Sequence, residues 1–345
     1  MRKYQEQREE ARGLTVEFCL LLALAVIGTI VLSSVAMAAV ATLAAHTYLS
    51  AVTTIKMPPG YWEDIFVQRL IQCGTLTFLA VTGTALYQSW QLTDGGGRHI
   101  ARLLGGHRIS LPCGDPNHTK LLNIVDELSI ATGIKAPAVF VLSDEPGINA
   151  FAAGLNVKDA VIGVTQGAID RLQRHQLQGV IAHEFSHIIN GDMRLNIQIL
   201  GVLSGVQAIS LAARFLLRLA LPKEAKDMSG RHPLGIVLAL VFGGALWPIG
   251  QIGSLFAMLI HFAVNRQREF LADASAVQYT RDPIGLCEAL TVLLDDEQGS
   301  GLVTPRAQLA SHLFFATSGG GWNRLWQTHP QLEERIRRLD PQQAA

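Results

Sequence analysis

The run His183-Glu184-Phe185-Ser186-His187 is an HExxH. Residues four apart share one face of a helix, with Cβ atoms about 5–6 Å apart. Two imidazoles at that spacing can grip one zinc ion. The glutamate beside the first histidine projects near the metal without binding it. It can take a proton from water and pass it to a leaving amine. Zinc lowers the pKa of bound water from about 15.7 toward about 7, so hydroxide is available at neutral pH. The pattern therefore points to metal-assisted hydrolysis. Val180, Ile181, Phe185, Ile188 and Ile189 make the flanks apolar. The histidines then lie on a half-buried helix, where imidazoles without a ligand need other partners.

A tetrahedral catalytic zinc takes a third protein ligand and leaves its fourth position open. The candidate is Glu269, in Arg266-Gln267-Arg268-Glu269-Phe270-Leu271-Ala272-Asp273. Glu269 and Asp273 are four apart and share a face. Glu269 can bind metal while Asp273 accepts a hydrogen bond from the free nitrogen of a ligand histidine. By itself the segment is an ordinary charged helix turn; it gains meaning from the HExxH.

The elements that must carry these residues are legible in outline. Helical periodicity covers Asn117 to Thr132, stopped by Gly133. Ala138 to Leu142 and Ala160 to Val164 are short β-branched runs that predict strands. Between them Asn149 to Gly154 predicts an extended or edge segment. Thr165 to Leu172 reads as a short helix. Gln176 to Asn190 reads as a longer one with Gly191 as its C-cap. Further helices are expected at Asn265 to Tyr279, Pro283 to Asp295 and His329 to Leu339.

Of the 345 residues, 49% are hydrophobic and 16% charged, against about 25% charged in ordinary soluble domains. The apolar excess sits in four blocks: Phe18 to Ala45, Leu70 to Thr93, Leu195 to Ala213 and Pro233 to Ile260. About 20 apolar residues cross a bilayer core. The first, second and fourth blocks are long enough; the third, ending at Arg214 and Arg218, is marginal. Residues 1–93 are read as an N-terminal anchor with spans at about 18–45 and 70–93. Residues 94–345 are read as one domain carrying a hydrophobic hairpin at about 195–221 and 233–262. Arg2, Lys3, Arg8 and Arg12 precede the first block, whereas the loop from His46 to Arg69 holds two basic residues. The positive-inside rule then places the N-terminus and the segment after residue 93 in the cytoplasm. Lys223, Lys226 and Arg231 between the third and fourth blocks oppose that rule if both span; a shallow or re-entrant hairpin removes the conflict. Twenty-eight basic and 28 acidic residues cancel, which gives no electrostatic support for nucleic-acid binding. The four cysteines are scattered, with no CxxC pair.

HEFSHIINGDM (183–193), NAFAAG (149–154), REFLADASA (268–276) and THPQLEERI (328–336) resemble the M48 family of membrane zinc metallopeptidases. The likeness is greatest to its HtpX-like branch, related to Ste24 and Oma1, and covers about residues 117–339. It implies a mostly helical α+β fold. A gluzincin-type zinc metalloprotease domain would follow an N-terminal pair of transmembrane helices. A second transmembrane or re-entrant hairpin would be inserted between HExxH and the third ligand. It implies one zinc per subunit held by His183, His187 and Glu269, with Glu184 as catalytic base. Asn149, Ala150, Phe151 and Ala152 would form the strand that binds the substrate backbone. His329 and Arg335, in an HP-x4-R pattern, would stabilise the oxyanion or position substrate. Asp273 and Asp192 would support the ligands.

The expected function is a multi-pass endopeptidase of the inner or plasma membrane, with its active site facing the cytoplasm. Its substrates would be polypeptides, chiefly misfolded membrane proteins cleared in quality control. A catalytically silent adaptor or chaperone of the same family and a CAAX-type processing protease are the alternatives. A site-2-type intramembrane protease also uses HExxH, but Arg171, Arg174, His175 and Asp192 flank the motif here and argue for an aqueous site. The stretch from Glu297 to Trp326, with its SGGG at 318–321, is longer than the family's minimal C-terminus.

Overall fold

A computed structural model describes residues 2–93, 95–221, 233–295, 315 and 330–339. The basic stretch 222–232, the SGGG and His329 lie outside them. The described elements run in the order α1 (Arg2–Val52), α2 (Tyr61–Thr93), α3 (Gly96–Leu103), β1 (His107–Ile109), α4 (Pro116–Thr132), β2 (Ala138–Leu142), β3 (Ala150–Ala153), β4 (Val161–Thr165), α5 (Gln166–Arg171), α6 (Arg174–Asn190), α7 (Asp192–Ala220), α8 (Pro233–Thr280), α9 (Pro283–Asp295) and α10 (Leu332–Leu339).

Two units divide the chain. One gathers residues 1–18, 93–197 and 262–345; the other gathers 19–92 and 198–261. The first holds a four-stranded sheet of order β1-β2-β4-β3. β2 and β4 are parallel, while β1 and β3 run antiparallel to their neighbours. Both faces of the sheet are covered, which is why its strands read as continuous apolar runs. Val139, Val141, Ala150, Ala152, Ile162 and Val164 join the core formed with α4, α6 and α9. On the other face Phe140, Leu142, Phe151 and Val161 meet Ala101 and Leu104 at the end of α3. The Phe151 ring lies over Gly163 of β4, where a Cβ would collide with it. Glycine is thus required to seat a fully buried phenylalanine on the edge strand.

β3 is that edge. Thr165 donates its N–H to the Asn149 carbonyl at 3.1 Å. In an antiparallel pair, hydrogen-bonded and non-bonded positions alternate. With Ala150 opposite Val164 and Ala152 opposite Ile162, the main-chain groups of Ala150 and Ala152 face away from β4. The Thr165 hydroxyl oxygen accepts the Asn149 N–H at 2.9 Å, anchoring the start of the strand.

The polar beginning of α1 belongs to this unit. The Tyr4 hydroxyl donates to the Leu339 carbonyl at 2.6 Å, Arg8 to the Gln278 side chain at 2.9 Å and Arg12 to the Asn190 side chain at 3.0 Å. These hydrogen bonds fasten α1 to α10, α8 and α6.

The second unit contains the apolar parts of α1, α2, α7 and α8. All four helices are long and apolar enough to cross a membrane. Gly201 and Gly205, one turn apart on α7, lie against the backbone of Ala85 and Val81 on α2. Small residues at a helix contact let backbones approach, the usual basis of packing where lipid supplies no hydrophobic drive. The separate helix expected at 265–279 is the last third of α8, which runs unbroken from Pro233 through Pro248 to Thr280. The chain leaves the first unit twice and returns twice, each time through two long apolar helices.

Candidate metal centre

α6 carries the HExxH. The Gln176 side chain accepts the Gln173 N–H at 2.9 Å and satisfies a donor at the helix entry. Gly191, with φ of 69°, ends it in the left-handed conformation and turns the chain into α7. That turn puts Asp192 beside the helix it has just left. His187 Nδ1 lies 2.6 Å from Asp192 Oδ2, and His183 Nδ1 lies 2.8 Å from Asp273 Oδ1 on α8. Each carboxylate accepts a hydrogen bond from an Nδ1–H, the tautomer in which Nε2 carries a lone pair. The two Nε2 atoms face each other at 3.0 Å. Glu269 Oε2 is 3.6 Å from His183 Nε2, and its Oε1 is 3.7 Å from His187 Nε2.

Two lone pairs and a carboxylate converging in a buried site repel one another unless a cation lies among them. Ligands of one ion, bonded at about 2.0–2.2 Å, are at most about 4.4 Å apart, and these separations meet that limit. His183, His187 and Glu269 together could hold a metal. Two imidazoles and one carboxylate are a donor set that zinc accepts.

The surroundings fix the donors. Arg335 on α10 is fully buried. It grips Asp273 through Nε at 2.9 Å and Nη2 at 2.7 Å, and its Nη1 lies 3.6 Å from Glu269. Burial pushes the Asp273 carboxyl up. The Arg335 guanidinium and the hydrogen bonds from His183 and Arg335 outweigh that and hold it below the ordinary carboxylate range. Burial likewise lowers Arg335, but Asp273, Glu269 and Glu184 together raise it above its usual value. Asp273 and Arg335 are thus held as charged acceptor and charged donor. Arg268 pairs with Asp192 and donates to the Asn190 carbonyl at 3.0 Å, which ties α8 to the end of the HExxH helix.

The structure brings together His183, Glu184, His187, Glu269, Asp273, Asp192 and Arg335. Glu184 is buried beside the histidines. Asn149 is buried too; its backbone pairs with Thr165 and its side-chain oxygen accepts the Ala150 N–H at 3.1 Å. Phe151 turns its ring into the core, leaving the backbone of Ala150 and Ala152 as the edge. Two participants escaped the sequence reading. Arg268, beside Glu269, had the signal of adjacency; Phe315 had none. Phe315 donates its N–H to the Ala150 carbonyl at 2.8 Å and stacks edge-on to His183, ring centroids 4.8 Å apart.

Comparison with known proteins gives this arrangement its place. The family model "Peptidase family M48" matches residues 116–343, and the chain belongs to that family. Among curated relatives, a protease HtpX homolog of Dictyoglomus thermophilum is 40% identical over 220 residues, 64% of this chain and 68% of that protein. One from Dictyoglomus turgidum is 38% identical over 222 residues, with the same coverage. One from Streptococcus pneumoniae is 32% identical over 219 residues, 64% of this chain and 72% of that protein. Among solved structures, the crystal structure of S. mikatae Ste24p aligns with a TM-score of 0.42 at 17% identity, over 80% of this chain and 66% of that one.

Proposed function

We propose that this protein is a membrane-anchored, zinc-dependent endopeptidase of gluzincin type. The observation that carries the reading is the convergence of His183 Nε2, His187 Nε2 and Glu269 beside Glu184, with both Nδ1 atoms held by carboxylates. His183, His187 and Glu269 would hold zinc, which supplies Lewis acidity that makes water acidic near neutral pH and polarises a carbonyl. Glu184 takes the proton from the attacking water at its carboxylate and delivers it to the departing amine. Asp273 and Asp192 hold the two imidazoles in the tautomer that keeps Nε2 free. Substrate lies extended along β3, bonding to the outward main-chain groups of Ala150 and Ala152 as an added strand. Arg335 keeps Asp273 in place, and its Nη1, which donates to the Phe315 carbonyl at 3.3 Å, would meet a substrate carbonyl in its stead. His329 joins it by resemblance alone.

The site faces the cytoplasm by the charge asymmetry around the first two apolar blocks. Misfolded membrane proteins are the substrate class that suits a protease whose peptidase unit continues directly into apolar helices. The test is cleavage of unfolded casein and of a destabilised membrane protein by the purified full chain in detergent. Cleavage that persists in Glu184→Gln would refute the reading.

A further inference from the structure

Phe315 is a buried member of the core and makes four contacts around the metal centre. Its N–H donates to the Ala150 carbonyl on the open edge of β3 at 2.8 Å. Its own carbonyl accepts from Arg335 Nη1 at 3.3 Å. Its ring meets His183 edge-on at 85°, and the Arg335 guanidinium carbon stands 4.5 Å from the ring centroid. The residue is 2% exposed. A backbone donor on the edge strand and a carbonyl on a buried cation beside the histidine pair are what a bound peptide residue would present there.

We infer that Phe315 is an intramolecular occupant of the substrate cleft, and that the space its ring fills is a subsite for an aromatic substrate side chain. The inference rests on the reading of β3 as the substrate strand and adds to it what fills the cleft at rest and which side chain the cleft selects. The chemistry of the subsite argues for an aromatic ring. Its walls are the His183 ring, perpendicular to the Phe315 ring, and the Arg335 guanidinium over the Phe315 ring, and both favour an aromatic over an aliphatic group. Glu269 and Glu184 beside Arg335 repel an acidic one. A substrate competes with Phe315 for one main-chain acceptor and one guanidinium, so resting occupancy lowers the apparent affinity for substrate.

Binding tests this without relying on turnover. Fluorescein-labelled Ala-Ala-Phe-Ala-Ala is titrated by anisotropy into the full chain in detergent, beside the same peptide with Asp in place of Phe. Glu184→Gln is the background, so that no probe is cut. Phe315→Ala is expected to bind the Phe peptide about tenfold more tightly than the parent, with no gain for the Asp peptide. Phe315→Tyr, which keeps the ring, should match the parent. Phe315→Leu, which keeps apolar bulk, should show a smaller gain and serves if Phe315→Ala does not fold. A heptapeptide with the sequence of residues 312–318 should displace the Phe peptide from Phe315→Ala or Phe315→Leu. Unchanged affinity in folded Phe315→Ala or Phe315→Leu, or equal gains for the Phe and Asp peptides, overturns the inference. Casein cleavage with unchanged binding would reject the occupant and leave the peptidase reading standing. Tighter binding without cleavage would do the reverse.

Discussion

Arg335 and Asp273 form a two-point clasp, Nε to Oδ2 at 2.9 Å and Nη2 to Oδ1 at 2.7 Å, and the same Oδ1 holds His183 Nδ1 at 2.8 Å. The sixty-two positions between the partners make it a closure of the fold as well as a support of the site. α10 is only eight residues long, so this clasp, the Tyr4 bond to Leu339 and its apolar contacts must hold it in place.

Removing one partner of a buried charged pair strands the other and costs about 3–5 kcal/mol. Arg335→Met is therefore expected to destabilise the peptidase unit by about that amount, read from denaturant unfolding of the detergent-solubilised chain. Asp273→Leu added to it should recover part of the loss, because no charge is then left alone. Additive losses in the double variant would show that the clasp does not exist in solution.

Asp192 and Asp273 orient the two histidines. Groups in that position typically contribute about 10–100-fold to metal affinity. Asp192→Asn should weaken zinc binding by about that factor in a competition titration with a chromophoric chelator. His187 should remain a ligand, since its ring is not removed. Wild-type affinity in Asp192→Asn would mean that the hydrogen bond does not set the ring.

The His175 and Gln176 side chains at the start of α6 both reach Glu288 on α9, at 2.7 and 3.2 Å. These hydrogen bonds hold the Glu288 carboxyl below its ordinary value of about 4.5. A lowered carboxyl stabilises the fold above its unfolded value, and the contribution disappears as pH falls through the folded one. Glu288→Gln should thus melt below wild type near neutral pH, with the gap closing as pH drops beneath about 4.5. A gap that is constant or widens in acid would contradict the assignment.

Gly163 cannot acquire a Cβ without meeting the Phe151 ring. Overpacking a core typically costs about 1–3 kcal/mol, and Gly163→Ala should show that loss in thermal unfolding. Phe151→Leu in the same chain should return part of it. Because β3 moves with Phe151, peptide affinity should fall in Gly163→Ala before the fold is lost.

The site was more legible in the sequence than the fold around it. HExxH offers two candidate ligands and a candidate base because helical spacing alone brings them together. Glu269 was accessible as the candidate third ligand because such a site calls for one and few acidic residues follow an apolar block so closely. Gly191 as a C-cap and the strands expected at 138–142 and 160–164, found at 138–142 and 161–165, followed from turn chemistry and β-branched runs. β1 has three residues, too few for any periodicity to register. α3 is a short charged helix whose apolar residues show no long repeat. The continuity of α8 was hidden by glycines and Pro248, which break helices in water but are tolerated in apolar bundles. Phe315 could not be found, since its partners are a main-chain carbonyl and side chains far away in the chain. The bonds from Tyr4, Arg8 and Arg12 to α10, α8 and α6 were masked by a simpler explanation, since basic residues before a span are expected for topology alone.

His183, His187 and Glu269 are proposed to hold one zinc ion, with Glu184 working beside it without binding it. Zinc content per chain, measured by mass spectrometry on the purified full chain and paired with casein cleavage, tests both halves together. About one zinc per chain is expected in wild type and in Glu184→Gln, with cleavage only in wild type and loss of both metal and cleavage in His187→Ala and Glu269→Ala. Full zinc content in Glu269→Ala, or cleavage by Glu184→Gln, would contradict it.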